Sequence, residues 1–163
     1  MGHTENLSKK PTTVLSQSST YGMGNASYAN DGNLNTTESD CAHTAHNQSK
    51  AWFQVDLGKP HGIQHVKIYY RREGDGAIDW KQYRFRKFYL DVSNSSASGS
   101  MTSQRARCFT DNTKEPTLPP NIIDIPCEQW ARYVIVESTY KAPEDNRSTG
   151  PILEICEIEV YGN

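Results

Sequence analysis

The sequence predicts an all-β chain, an antiparallel sandwich or jelly roll, and three observations carry that expectation. Helical periodicity is nearly absent, apolar and polar residues alternate in several short runs, and the runs are parted by polar, turn-rich connections. Short strands of this kind bury one face each and turn the other to solvent, which favours two packed layers.

The elements follow in order. Trp52-Phe53-Gln54-Val55-Asp56-Leu57 reads as a strand ended by Gly58 and Pro60. From His65 to Arg71, Val66, Ile68 and Tyr70 alternate with Lys67 and Tyr69. Phe88, Leu90 and Val92 alternate with Tyr89 and Asp91, Val134 and Val136 share a face, and so do Cys156, Ile158 and Val160. Ser93–Ser103 reads as a flexible loop and Lys114–Pro120 as a proline-stiffened one. With no internal repeat and no dividing linker, residues 1–163 are expected to form a single domain.

Composition limits the function classes. A formal net charge of −2 gives no basic field for nucleic acid and no polybasic membrane patch. No apolar run approaches the ~18–20 residues of a membrane span, so no membrane insertion is expected. No secretory leader opens the chain, which is therefore expected to be mature or to lack its leader. The four cysteines, at 41, 108, 127 and 156, contain no close pair of the kind zinc ribbons or thioredoxin-type motifs use. An even cysteine count, with N-x-S/T sequons at Asn6, Asn25, Asn35, Asn47, Asn94 and Asn146, favours a secreted protein.

Three constellations carry chemistry. Asp31-Gly32-Asn33 is a strong turn signal, yet Asp31, Asn33 and Asp40 also offer hard oxygen ligands within ten residues. A bridge between Cys41 and Cys156, if formed, would bring Glu157 beside them and hold His43 at the rim, so metal site and plain turn both stand open. Arg71 closes one strand and Arg84 opens the next, so both are expected to project, exposed, near one sheet end. Between them runs a polar loop with an exposed-looking Trp80. It reads either as a solvated hairpin, with Glu73, Asp75 or Asp79 pairing the arginines, or as a sugar site. Sugars suit forked guanidinium donors, an imidazole and an aromatic face. There is no nucleophile elbow, reactive Cys-His pair or phosphate-binding glycine pattern, so no enzyme is expected. A glycosidase would need two suitably spaced carboxylates.

Several motifs together resemble one family. Glu5-Asn6-Leu7-Ser8-Lys9-Lys10-Pro11 followed by Gln17-Ser18-Ser19-Thr20-Tyr21, which looks like a first strand region, then Asn30-Asp31-Gly32-Asn33, Cys41-Ala42-His43-Thr44, Trp52-Phe53-Gln54-Val55-Asp56-Leu57-Gly58 and Leu153-Glu154-Ile155-Cys156-Glu157-Ile158-Glu159-Val160 stand in the order found in F-type lectins, or fucolectins. Those lectins have a discoidin-like jelly roll of the galactose-binding-domain-like class. The chain is also similar to molluscan domains accompanying epidermal-growth-factor-like repeats. The resemblance spans about Asn6 to Gly162.

The resemblance implies a secreted lectin domain recognising fucose or a related terminal sugar, through His43, Arg71 and Arg84 with Glu73 near the first arginine. Here Glu73 stands where the family motif has aspartate, the His43–Arg71 interval is one residue longer, and the loop is longer and lacks a vicinal cysteine pair. Trp80 or Tyr83 is the expected substitute platform. The resemblance also implies Ca2+ held by Asp31, Asn33, Asp40 and Glu157 with carbonyls of Tyr28 and Cys156. The bridges expected are Cys41–Cys156 and Cys108–Cys127. Glycans or glycoproteins are the expected partners, with avidity from homo-oligomers or tandem domains. The alternative is a discoidin-like adhesion module that binds a protein or other ligand after losing the fucose site.

Overall fold

The computed structural model describes residues 4–73, 76–145 and 150–163, and of residues 76–79 the backbone only. Among these residues there is no α-helix; eight antiparallel strands are joined by loops and short 3-10 turns. The strands are β1 (Glu5–Asn6), β2 (Val14–Gln17), β3 (Ala42–His43), β4 (Ala51–Tyr70), β5 (Tyr89–Ser93), β6 (Ala106–Thr110), β7 (Ile122–Ser138) and β8 (Glu154–Gly162). Their hydrogen-bonded order is β1-β8-β4-β7-β5-β6, with β2 on β4 and β3 on β8.

The strands expected at 52–57 and 65–71 are one element. Gly58, at φ +84°, and Pro60 bend β4 instead of ending it, because β7 follows it through the bend. The pairing runs from Ala51↔Ser138 to Asp56↔Tyr133, slips, and resumes from His61↔Ala131 to Tyr69↔Ile122. The slips change the inward parity of β4. Phe53, Val55 and Leu57 face the core before the bend, and Val66, Ile68 and Tyr70 after it. Phe88, Leu90 and Val92, Val134 and Val136, and Cys156, Ile158 and Val160 are all buried, as their alternation predicts.

Both ends of β4 lie at one end of the molecule. The carbonyl of Trp52 accepts from Ser18 N–H, Ser19 Oγ accepts from Ala45 N–H, and Thr44 N–H bonds Leu153 O beside Glu154, whose carbonyl accepts from Arg71 N–H. The Gly58–His61 bend, the end of β5 and the middle of β7 form the remote end. Cys41–Cys156 and Cys108–Cys127 are both bonded, the first spanning 115 residues and the second tying β6 to β7.

Candidate functional site

His43, Arg71 and Arg84 come from three separate stretches and meet on one carboxylate, Glu154, the first residue of β8. Glu154 is 1% exposed. His43 Nε2 stands 3.3 Å from its Oε2, Arg71 Nη1 donates to the same oxygen, and Arg84 Nη1 donates to Oε1 at 3.1 Å. Burial works to raise the Glu154 carboxyl, but His43, Arg71 and Arg84 outweigh it and hold it below the ordinary glutamate value.

Arg71 and Arg84 do not project from the surface as expected: they are 2% and 6% exposed. The reason is their partners. Arg71 also pairs with Glu38 at 3.1 Å and Glu73 at 3.2 Å, and Arg84 Nε donates to Asp145 at 2.9 Å. A guanidinium so supplied with carboxylates can leave water with its charge compensated, although Arg71 Nε has no hydrogen-bond partner among the described residues. Arg84 does not open a strand either, since it ends the 3-10 stretch Gly76–Arg84, five residues before β5. Asp75 and the side chain of Asp79, considered as arginine partners, lie outside the described residues.

The histidine is buried rather than on the rim, at 2% exposure. Its Nδ1 lies 2.7 Å from the Thr44 carbonyl, which can only accept, so Nδ1 carries the hydrogen. Nε2 faces the Glu154 carboxylate oxygen at 3.3 Å, which can only accept, so the contact calls for a donor at Nε2. The close fit depends on Gly24: a Cβ there would stand 2.6 Å from His43 Cβ, while Gly24 O accepts from His43 N–H at 2.9 Å.

Beside His43 opens a cleft of about 290 Å³ lined by Tyr21, Met23, Tyr28, Glu38 and Ser39. Tyr21 is 47% exposed and its ring sits 4.8 Å from His43 and 4.7 Å from His46. Burial, and after it the charge of Arg84, holds His46 below the usual imidazole value. The exposed aromatic bordering the cleft is therefore Tyr21, which sequence reasoning passed over. The two proposed platforms stand differently. Trp80 is half-buried, with Arg84 over its ring at 5.0 Å, and Tyr83 carries Arg86 over its ring at 5.2 Å.

Glu154 was also unassigned, although a signal for it existed. It shares sequence parity with Cys156, Ile158 and Val160, which marks it as a carboxylate in a buried strand, although a register shift opposite Tyr69 and Tyr70 breaks that parity and puts Ile155 in the core beside it. Asp145 and Glu38 carry no comparable signal.

The residues expected to hold calcium lie on the other side of the Cys41–Cys156 bridge. Gly32 N–H donates to Glu157 Oε2 at 2.9 Å, Asn33 N–H to Asp31 Oδ1 at 2.9 Å, and Asn33 Nδ2 to Asp40 Oδ1 at 2.9 Å. Thr37 Oγ1 donates to the other Asp40 oxygen, and Tyr28 lies in the 3-10 turn Ala26–Asn30. Glu157 is 1% exposed and its Oε1 has no hydrogen-bond partner among the described residues. Burial, with the charge of Asp31 adding to it, pushes its carboxyl up to about 7. A buried carboxylate oxygen without a partner, among further oxygen donors, fits a hard divalent cation. Among the described residues the side-chain trio with ligand atoms within 4.8 Å of one another is a different one, Glu38, His43 and Glu154. There Arg71 Nη1 touches both carboxylates and already supplies the positive charge.

Residues 28–136 match the model of a NedA-like, galactose-binding domain. The lectin domain of lectinolysin complexed with Lewis b antigen is similar to this chain at 28% identity and a TM-score of 0.71, covering 98% of this chain and 97% of that one. A fucolectin from striped bass (Morone saxatilis) serum gives 23% identity and a TM-score of 0.73, covering 98% of this chain and 47% of the fish protein. The chain thus spans about half of that lectin. A fucose binding module of Streptococcus pneumoniae gives 24% identity and a TM-score of 0.68, covering 98% of this chain and 96% of the module. These last two are likenesses of fold. No curated protein sequence matches the chain significantly.

Proposed function

The chain belongs to the NedA-like, galactose-binding domain family, and on that premise we propose that it is a non-catalytic, secreted lectin domain recognising fucose or a related terminal sugar on glycans. The observation that carries the reading is the convergence of His43, Arg71 and Arg84 on Glu154 beside the Tyr21-bordered cleft. Guanidinium forks and the imidazole donate to sugar ring and hydroxyl oxygens, and an aromatic edge covers the apolar side of the ring. Sugar hydroxyls must compete with Glu38 and Glu73 for Arg71, so a single site binds weakly and use on glycoproteins relies on several copies. Two disulfides support the extracellular assignment.

The test is calorimetry with fucose and fucosylated oligosaccharides, after a glycan array. Arg84→Lys keeps the charge but loses the fork, and is expected to weaken binding roughly ten- to a hundredfold, the range for hydrogen bonds of about 1.5–3 kcal/mol to a charged group. An array without hits, on folded protein, favours the adhesion-module reading. One observation speaks for that alternative: both arginines are held by protein carboxylates.

The same reading includes a structural calcium ion, held by Asp31, Asn33, Asp40 and Glu157 with the carbonyls of Tyr28 and Cys156. Its support is the partnerless oxygen of Glu157. The ion supplies a counter-charge to that carboxylate and ties the turn to β8. Because it binds the folded chain, saturating calcium is expected to raise the melting temperature by several degrees over chelated protein, through about 2.7 kcal/mol at a hundredfold excess over Kd. A melting temperature indifferent to both treatments leaves Asp31–Asn33 a plain turn.

A further inference from the structure

At the end of the molecule remote from the cleft, Trp130 is 68% exposed on β7. Its ring has a defined seat. Trp130 pairs across the ladder with Gly62, and its Cε3 lies 3.8 Å from where a Cβ on that glycine would stand. A groove of about 420 Å³ beside it is lined by Asn94, Gln104, Gln129 and Trp130 itself. Asn94 opens the sequon Asn94-Ser95-Ser96 and is exposed. Its Oδ1 accepts from the backbone N–H of Arg132 at 3.1 Å, which turns Nδ2 away from β7. Arg132 is two residues beyond Trp130, roughly 6.6 Å along an extended strand, so the first sugars on Asn94 reach the indole.

The other described sequons are placed differently. Asn6 Oδ1 accepts from Ser8 N–H, Ser8 Oγ and Val160 N–H, between β1 and β8. Asn25 adjoins Gly24 at the mouth of the cleft, Asn35 follows the proposed calcium turn, and Asn47 follows His46. A glycan on Asn25 or Asn47 stands beside the candidate site, whereas one on Asn94 leaves it open. Asn146 lies outside the described residues.

We propose that Asn94 carries an N-linked glycan whose core sugars lie on Trp130 and fill this groove. The inference rests on the secreted reading above. The donor is a lipid-linked oligosaccharide pyrophosphate. The Asn94 amide nitrogen forms a bond to sugar C1, the C1–O bond to pyrophosphate breaks, and the amide proton passes to the transferase's base. On the finished protein the indole faces the C–H side of a pyranose, while Gln104 and Gln129 offer amide groups to hydroxyl and N-acetyl groups.

The test is to secrete the full chain from eukaryotic cells, map its glycopeptides, and compare melting before and after enzymatic glycan removal. Asn94 is expected to be occupied, and removal to lower the melting temperature by about 2–4 °C in the wild type but not in Trp130→Ala. A bare Asn94 on a product whose cysteines are all oxidised overturns the proposal and leaves secretion standing. Reduced cysteines with every sequon bare defeat both. A glycan on Asn94 whose removal shifts wild type and Trp130→Ala equally shows that the sugar does not use the indole.

Discussion

Glu154→Ala is expected to abolish sugar binding and to lower the melting temperature by roughly 6–20 °C. Removing one member of a buried ionic group costs about 3–5 kcal/mol, because the charges left behind stay out of water, and about 1 kcal/mol corresponds to 2–4 °C in a chain of this size. Here Arg71 and Arg84 both lose the carboxylate that holds them, and His43 loses its neighbour. Glu154→Gln keeps the shape and one acceptor and should lose less, since Arg71 retains Glu38 and Glu73 and Arg84 retains Asp145. The pH dependence follows from the depressed Glu154 carboxyl. Its stabilisation is complete above the unfolded glutamate value of about 4.3 and disappears as pH falls through the lower folded value, so the glutamine variant should show a shallower acid limb. Thermal denaturation by circular dichroism between pH 3 and 7 measures both effects. A Glu154→Ala protein that melts with the wild type would mean that the three cations find other partners at no cost.

The second large effect concerns the bridge beside this group. Replacing Cys41 and Cys156 together by alanine is expected to cost up to about 4.7 kcal/mol, the loop-entropy value for a ~100-residue loop, and hence roughly 10–20 °C. The bridge spans 115 residues and joins the turn before β3 to the third residue of β8. Paired alanines are the right comparison because they leave no thiol in the core. A melting temperature within two degrees of the wild type would show that the unfolded chain gains nothing from the opened loop.

Much of the fold was legible because alternation reports directly on inward faces. Val66, Ile68 and Tyr70, and Cys156, Ile158 and Val160, are buried as their spacing predicts. The continuity of β4 was not legible. Gly58 and Pro60 mark a change of direction, and only the partner strand decides whether pairing survives it. The region of β1 and β2 was marked only by resemblance, while β3, two residues long, and β6, which has no fully buried residue, offer no alternation to read. At the site, resemblance named three cations that do come together, while their burial depended on Glu38, Asp145 and Glu154, acidic residues from distant segments. Charged residues read singly look solvated; collected around one carboxylate they form an interior. Trp80 shows the same limit, since its exposure was judged without Arg84 packed on its ring.

The Cys41–Cys156 bridge also has a mechanical meaning. β1 lies antiparallel against the end of β8, with Glu5 opposite Gly162, so tension applied to residues 5 and 162 peels two short strand ends apart. Once they part, only the stretch before Cys41 and the few residues after Cys156 can pay out, because the covalent bridge carries the load across everything between. His43, Arg71, Arg84 and Glu154 all lie inside that shielded loop. Tension between these ends therefore spares the His43, Arg71, Arg84 and Glu154 group and falls instead on the cleft wall of Tyr21, Met23, Tyr28 and Glu38, which precedes Cys41.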